Sequence, residues 1–138
     1  MSTKIPIPKH KVKPARILVI DDEQEITEVI DAFLKSSGYE VLTENTAVMA
    51  VERVQEYKPD LILLDIMMSG MDGYQICEEL KKQPDMKNIP VLFLTGKDTR
   101  DDSGKSFKVG GDMFIKKPFS GDRLLEIINI VLVSIGKR

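Results

Sequence analysis

Leu61-Ile62-Leu63-Leu64-Asp65-Ile66-Met67-Met68-Ser69-Gly70-Met71-Asp72-Gly73 is the stretch on which the fold turns. Four apolar residues without polar alternation describe a strand covered on both faces, as in a parallel sheet, and the run stops at a carboxylate. The same design recurs along the chain. Residues 17–20 stop at Asp21-Asp22, residues 91–94 at Thr95, and residues 113–115 at Lys116-Lys117-Pro118. In an open parallel sheet, ligands sit outside the carboxyl ends of the strands, where the strand order reverses. Carboxylates, a hydroxyl and an ammonium therefore converge on one place, and each has something to offer a phosphoryl group.

Helical periodicity fills the intervals. Ile26, Val29, Ile30, Phe33 and Leu34 recur at helical spacing, and Ser36-Ser37-Gly38 stops them. A short β-prone stretch over 39–43 is followed by Ala47, Ala50, Val51 and Val54, an amphipathic helix closing before Pro59. Ile76, Cys77 and Leu80 mark a third helix ending near Pro84, and Pro90 introduces the next strand. Residues 101–109 are polar and contain Gly104, which costs about 1 kcal/mol against alanine inside a helix, so this is expected to be the most pliable helix. In the last helix Leu124, Ile127, Ile128, Val131 and Ile135 make one face, while Leu125, Ile130, Leu132 and Val133 fall elsewhere. It has more apolar surface than one core needs. The βα alternation predicts an α/β fold of five βα units in one domain.

At 138 residues the chain suits a single core. Lys4, Lys9, Lys11, Lys13 and Arg16 make the first sixteen residues basic without an acid, and the formal net charge of -2 leaves the body acidic. Residues 1–15, with Pro6, Pro8 and Pro14, read as a flexible basic extension, and residues 16–138 as the domain. Nothing in the overall charge suggests nucleic-acid binding. A single Cys77 excludes an internal disulfide and reads as a buried small hydrophobe. No signal-peptide pattern opens the chain, and residues 124–135 are too short and too interrupted to span a bilayer, so a cytoplasmic location is expected.

Three carboxylates brought together at Asp21, Asp22 and Asp65 would resist ionising unless a cation intervenes. Magnesium suits such an oxygen-only set while keeping several waters. With the charge balanced, Asp65 can act as a nucleophile toward phosphorus and hold the product as an acyl phosphate. Lys117 can neutralise phosphoryl oxygen charge, and Thr95 can donate a hydrogen bond to it. Taken singly, each has a plainer reading: helix cap, strand end or turn. Their occurrence in order on four strands of one sheet favours the joint site.

From residue 16 to 135 the chain resembles the receiver domain of bacterial two-component response regulators. The likeness rests on Asp21-Asp22, the Asp65-to-Gly73 segment, Thr95 and Lys117-Pro118-Phe119, at the family's spacings. It implies a flavodoxin-like doubly wound (βα)5 sandwich with a parallel sheet of order 2-1-3-4-5. It also implies that Asp65 is the phosphoacceptor, supplied from a phosphohistidine on a sensor kinase or phosphotransfer protein. By the same resemblance, Asp22 binds Mg2+ directly, Asp21 through water, Asp65 as a further ligand and Met67 by its main-chain carbonyl. Lys117 contacts the phosphoryl group, Thr95 moves toward it, and Phe114 is the switch aromatic that packs inward. The expected role is regulatory rather than enzymatic, with self-catalysed phosphotransfer and slow loss of the phosphoryl group. The expected output is a change in the surface formed by the last two helices and the strand between them, read by a downstream protein or output domain.

The chain departs from the family at Ser69, where proline is usual, at Gly96 and Gly111, often alanine, and at Phe114, commonly tyrosine. Met67 and Lys97 occupy positions that influence loss of the phosphoryl group to water, and the bulky methionine suggests a long-lived phosphoform. The last helix lacks the arginine pattern of winged-helix regulators, which argues against their charged dimer, while its surplus apolar residues suit a partner or a homodimer.

Other readings fare worse. A haloacid-dehalogenase-like hydrolase needs an aspartate where Met67 stands. A flavodoxin-like mononucleotide binder needs glycines and hydroxyls where Asp22-Glu23-Gln24-Glu25 would repel phosphate. Gly104-Lys105-Ser106 lacks the first glycine of a P-loop, Thr99 being there. The remaining alternative is a receiver-like interaction module that works without phosphorylation.

Overall fold

The computed structural model describes residues 13–96 and 113–136. The basic segment 1–12, residues 101–109 over which the most pliable helix is expected, Lys97 and Gly111 lie outside the described residues. In chain order the elements are β1 (Arg16–Ile20), α1 (Gln24–Ser36), β2 (Glu40–Glu44), a 3-10 turn (Ala47–Met49), α2 (Ala50–Tyr57), β3 (Leu61–Asp65), α3 (Gly73–Lys81), β4 (Val91–Thr95), β5 (Met113–Lys116) and α4 (Gly121–Ser134).

The five strands form one parallel sheet in the order β2-β1-β3-β4-β5, as the resemblance implies. β1 pairs on both edges, so β2 and β3 flank it and the order reverses there. Successive side chains of a strand point to opposite faces, which divides the apolar strands between two cores. Ile17, Val19, Leu61, Leu63, Leu92, Leu94 and Ile115 pack with residues of α1 and α4, including Ile30, Leu34, Leu124 and Ile128. Leu18, Ile20, Ile62, Leu64, Val91 and Phe93 pack on the other side with Ala50, Val54, Ile76, Cys77 and Leu80 of α2 and α3. Cys77 is buried as expected. Every residue of β3 and β4 is buried, which explains their unbroken apolar sequence.

Two helical faces differ from the sequence pattern. Val29 keeps the apolar spacing of α1 but is 70% exposed, lining a groove with Ile26, Pro118 and Phe119. On α4 the buried set is Leu124, Ile127, Ile128, Val131 and Leu132. Ile135 is 41% exposed because the helix ends at Ser134 and Ile135 is already the C-cap. Ile130 and Val133 are exposed, so the surplus apolar surface expected on this helix is present.

Candidate functional site

Each expected site residue except Phe114 and Met67 stands at or just past a strand's carboxyl end. Asp21 and Asp22 follow β1, Asp65 is the last residue of β3, Thr95 the last of β4, and Lys117 follows β5. Because all five strands are parallel, these ends share one rim of the sheet. Asp21, Asp65 and Thr95 are buried polar residues there, and Asp22 is exposed.

The Lys117 ammonium joins the rim across three elements. Its Nζ donates to Asp21 Oδ2 at 2.8 Å and to Asp65 Oδ1 at 3.3 Å, and reaches Glu23 Oε1 at 3.4 Å. The Lys117 backbone N–H donates to the Thr95 carbonyl at 2.6 Å, which ties the residue to the end of β4. The following Lys117–Pro118 peptide is cis. Asp21 Oδ1 accepts from the Glu23 N–H at 3.0 Å, and Asp22 Oδ2 accepts from the Ser69 N–H at 3.1 Å. The loop after β3 is thereby bonded to the loop after β1.

Carboxylate oxygens of Asp21, Asp22 and Asp65 lie within 4.8 Å of one another. Three carboxylates face one ammonium, and Glu23 adds a fourth at the edge, so the site carries uncompensated negative charge. Burial, followed by the charge of Asp21, pushes the Asp65 carboxyl up from 3.8 to about 6, against the opposing influence of Lys117. For Lys117, burial pulls the ammonium toward deprotonation, but the hydrogen bonds and charges of Asp21 and Asp65 outweigh it and hold its pKa above the ordinary lysine value. An oxygen-only donor set with one exposed member and excess negative charge fits a hard divalent cation that retains water.

The plain capping reading does not account for these acids. Glu23 stands at the N-cap of α1 without a side-chain cap bond. The cap of α3 is Asp72, whose side chain accepts from Gln75 N–H at 2.8 Å while Gln75 Oε1 accepts from Asp72 N–H at 2.9 Å. The signal for this capping box is local, Asp-x-x-Gln ahead of the helix. It starts α3 at Gly73, whose N–H donates to the Ile66 carbonyl at 2.8 Å. A Cβ on Gly73 would stand 2.4 Å from the Asp65 carbonyl oxygen, so only glycine lets the helix approach the end of β3 this closely.

The other two expected residues lie nearby. Met67 is the second residue after Asp65, and 57% of it is exposed. Phe114 is half-buried in β5, paired in register with Phe93, with ring centroids 5.8 Å apart. Phe93 in turn meets Tyr74 of α3 edge-on at 5.0 Å. Nothing local in the sequence marks the contacts that Glu23 and Ser69 make within the site.

Comparison with known proteins agrees with this geometry. The family model of the response regulator receiver domain matches residues 17–129. The chemotaxis protein CheY4 of Vibrio cholerae superposes with a TM-score of 0.84 at 28% identity, over 87% of this chain and 100% of that one. A CheY-like response regulator receiver domain protein from Methanospirillum hungatei gives 0.82 at 29% identity, over 88% and 96% of the two chains. The signal receiver domain of a signal transduction histidine kinase from Syntrophus aciditrophicus gives 0.80 at 32% identity, over 90% and 94%.

Proposed function

The chain belongs to the response regulator receiver domain family, and from that premise we propose that Asp65 accepts a phosphoryl group from a phosphohistidine on a sensor kinase or histidine phosphotransfer protein. An Asp65 carboxylate oxygen attacks phosphorus in line. The new O–P bond forms as the P–N bond breaks, and the departing imidazole keeps the electron pair and takes a proton from water. The product is an aspartyl phosphate, and its later hydrolysis returns the carboxylate and inorganic phosphate. The observation carrying this reading is the Lys117 ammonium bridging Asp21 and Asp65 at the shared rim. It stands where charge on the phosphoryl oxygens must be met.

Asp22 and Asp65 would hold a magnesium ion directly, Asp21 through water, and Met67 by its main-chain carbonyl. When bound, the ion supplies charge neutralisation to both the carboxylates and the phosphoryl oxygens. Lys117 exchanges its carboxylate contact with Asp65 for a phosphoryl oxygen. Thr95 turns its hydroxyl toward the same group, and Phe114 packs further inward beside Phe93. The surface of β5 and α4 then changes for a downstream protein, an output domain or a second copy, with the exposed Ile130 and Val133 of α4 available for contact; the helix expected over 101–109, the remaining part of that surface, lies outside the described residues. The domain is a stoichiometric phosphoacceptor rather than a turnover enzyme. Among the described residues no helix is long and apolar enough to cross a membrane, and the phosphotransfer is proposed to take place in the cytoplasm.

Incubation with phosphoramidate and MgCl2, read by intact-protein mass spectrometry, tests this directly. A single phosphoryl adduct is expected, lost in Asp65→Ala and on chelation. No adduct from phosphoramidate, and none from a phosphorylated histidine kinase, would instead establish a phosphorylation-independent interaction module.

A further inference from the structure

Asp21 and Asp22 lie in the short turn between β1 and α1, and the turn is held from outside by a residue no motif marks. Asn45 follows β2 on the same rim. Its Nδ2 donates to the main-chain carbonyl of Asp21 at 2.7 Å and to Thr27 Oγ1 at 3.0 Å. A carbonyl oxygen only accepts, so the amide nitrogen must be the end that faces Asp21. Thr27 is buried on α1, and its hydroxyl donates to the Gln24 carbonyl at 3.0 Å, which fixes it in the first helical turn. The two hydrogens of one amide group thus clasp the turn at its strand side and at its helix side. Glu44, the residue before Asn45, accepts the Asp21 N–H at 3.1 Å through its carbonyl. The end of β2 therefore holds both main-chain polar groups of Asp21.

We propose that Asn45 is a positioning residue for the acidic pair, setting through this clasp the geometry in which Asp22 meets a divalent cation. The inference rests on the metal-dependent phosphoacceptor reading for its consequence, although the clasp itself requires no metal. Asp22 is exposed and is tied to the β3 side through the Ser69 N–H, so its placement depends on the main chain on either side of it. Groups that orient metal ligands from behind typically contribute about 10- to 100-fold in metal affinity.

The test is calorimetric titration of the metal-free full chain with MgCl2, paired with amide hydrogen exchange of the same metal-free protein. Asn45→Ala is expected to weaken magnesium binding about 10-fold and to speed exchange of the Glu23 amide. Asn45→Asp keeps the shape but loses both donor hydrogens, and is expected to speed exchange as much as the alanine variant. Saturating magnesium is expected to return the maximal phosphorylation rate of Asn45→Ala to that of the unmodified chain, with only the half-saturating magnesium concentration raised. Val54→Ala, which loosens the buried face of α2 away from the turn, should leave magnesium affinity unchanged. Unaltered magnesium affinity and exchange in Asn45→Ala would overturn the proposal, as would an equal loss of affinity in Val54→Ala. If the unmodified chain itself binds no magnesium, the phosphoacceptor reading fails instead, and the exchange measurement alone decides whether the clasp exists.

Discussion

Asp65→Asn should make the metal-free protein more stable at neutral pH. The substitution keeps the shape of the side chain and leaves an oxygen that can still accept from Lys117, but removes one of three clustered negative charges. The carboxyl of Asp65 is raised from 3.8 to about 6 in the folded chain, first by burial and then by Asp21. A raised value means that the folded state disfavours the ionised form. Its contribution to stability is fully present below the unfolded value and is lost as pH rises through the folded one, so the window runs from about pH 4 to about pH 6. At about 1.4 kcal/mol per pKa unit the ceiling is roughly 3 kcal/mol. Solvent screening at the rim, beside the exposed Asp22, brings the expected gain to about 1–2 kcal/mol. In urea unfolding with a chelator at pH 7.5, this moves the midpoint of Asp65→Asn up by on the order of 1 M. The gap should close toward pH 4, where the unmodified Asp65 is protonated. Magnesium should also narrow it, since a bound cation stabilises the chain that holds it more tightly. An Asp65→Asn variant no more stable than the unmodified chain at pH 7.5, or a gap indifferent to pH, would refute the reasoning.

Other expectations follow from the same geometry. Lys117→Gln should raise the Asp65 carboxyl above its present value, because the group that opposes the rise is lost, and carboxyl-carbon NMR titration would report it. Gly73→Ala should cost about 1–3 kcal/mol by driving a Cβ into the Asp65 carbonyl, whereas Gly96→Ala should stay within about 0.5 kcal/mol because, among the described residues, nothing lies within 4 Å of its Cβ position; thermal unfolding of the pair separates them. Asp72→Ala removes the capping box and should cost about 1 kcal/mol in the same assay. Lys58 ends α2 in the left-handed region at φ 52°, so Lys58→Gly should stabilise by about 0.5–1 kcal/mol, and unchanged or lower stability would contradict this.

The sheet was legible because a strand buried on both faces has no reason to alternate, and β3 and β4 carry that signature without interruption. The site was legible because parallel strands deliver their following residues to one rim. Helical faces were read less well. Val29 fits the spacing of α1 yet faces outward beside Pro118 and Phe119, since the helix packs along a narrower stripe than its apolar residues cover. Ile135 fits the spacing of α4 but falls past its last turn. The supports of the site were not legible. Asn45 reaches Asp21 across 24 residues and Thr27 across 18, and contacts of that range leave no periodic trace. Glu23 meets Lys117 across 94 residues for the same reason.

The most direct measurement fixes the position of the phosphoryl group. Borohydride reduction of the phosphorylated chain cleaves an acyl phosphate and converts that aspartate to homoserine, which peptide mass spectrometry can locate. Homoserine at position 65 alone, formed only when magnesium is present, is the predicted result. Homoserine at position 21 or 22, or a phosphoryl group on a serine or threonine instead, would contradict the assignment of Asp65 as the phosphoacceptor.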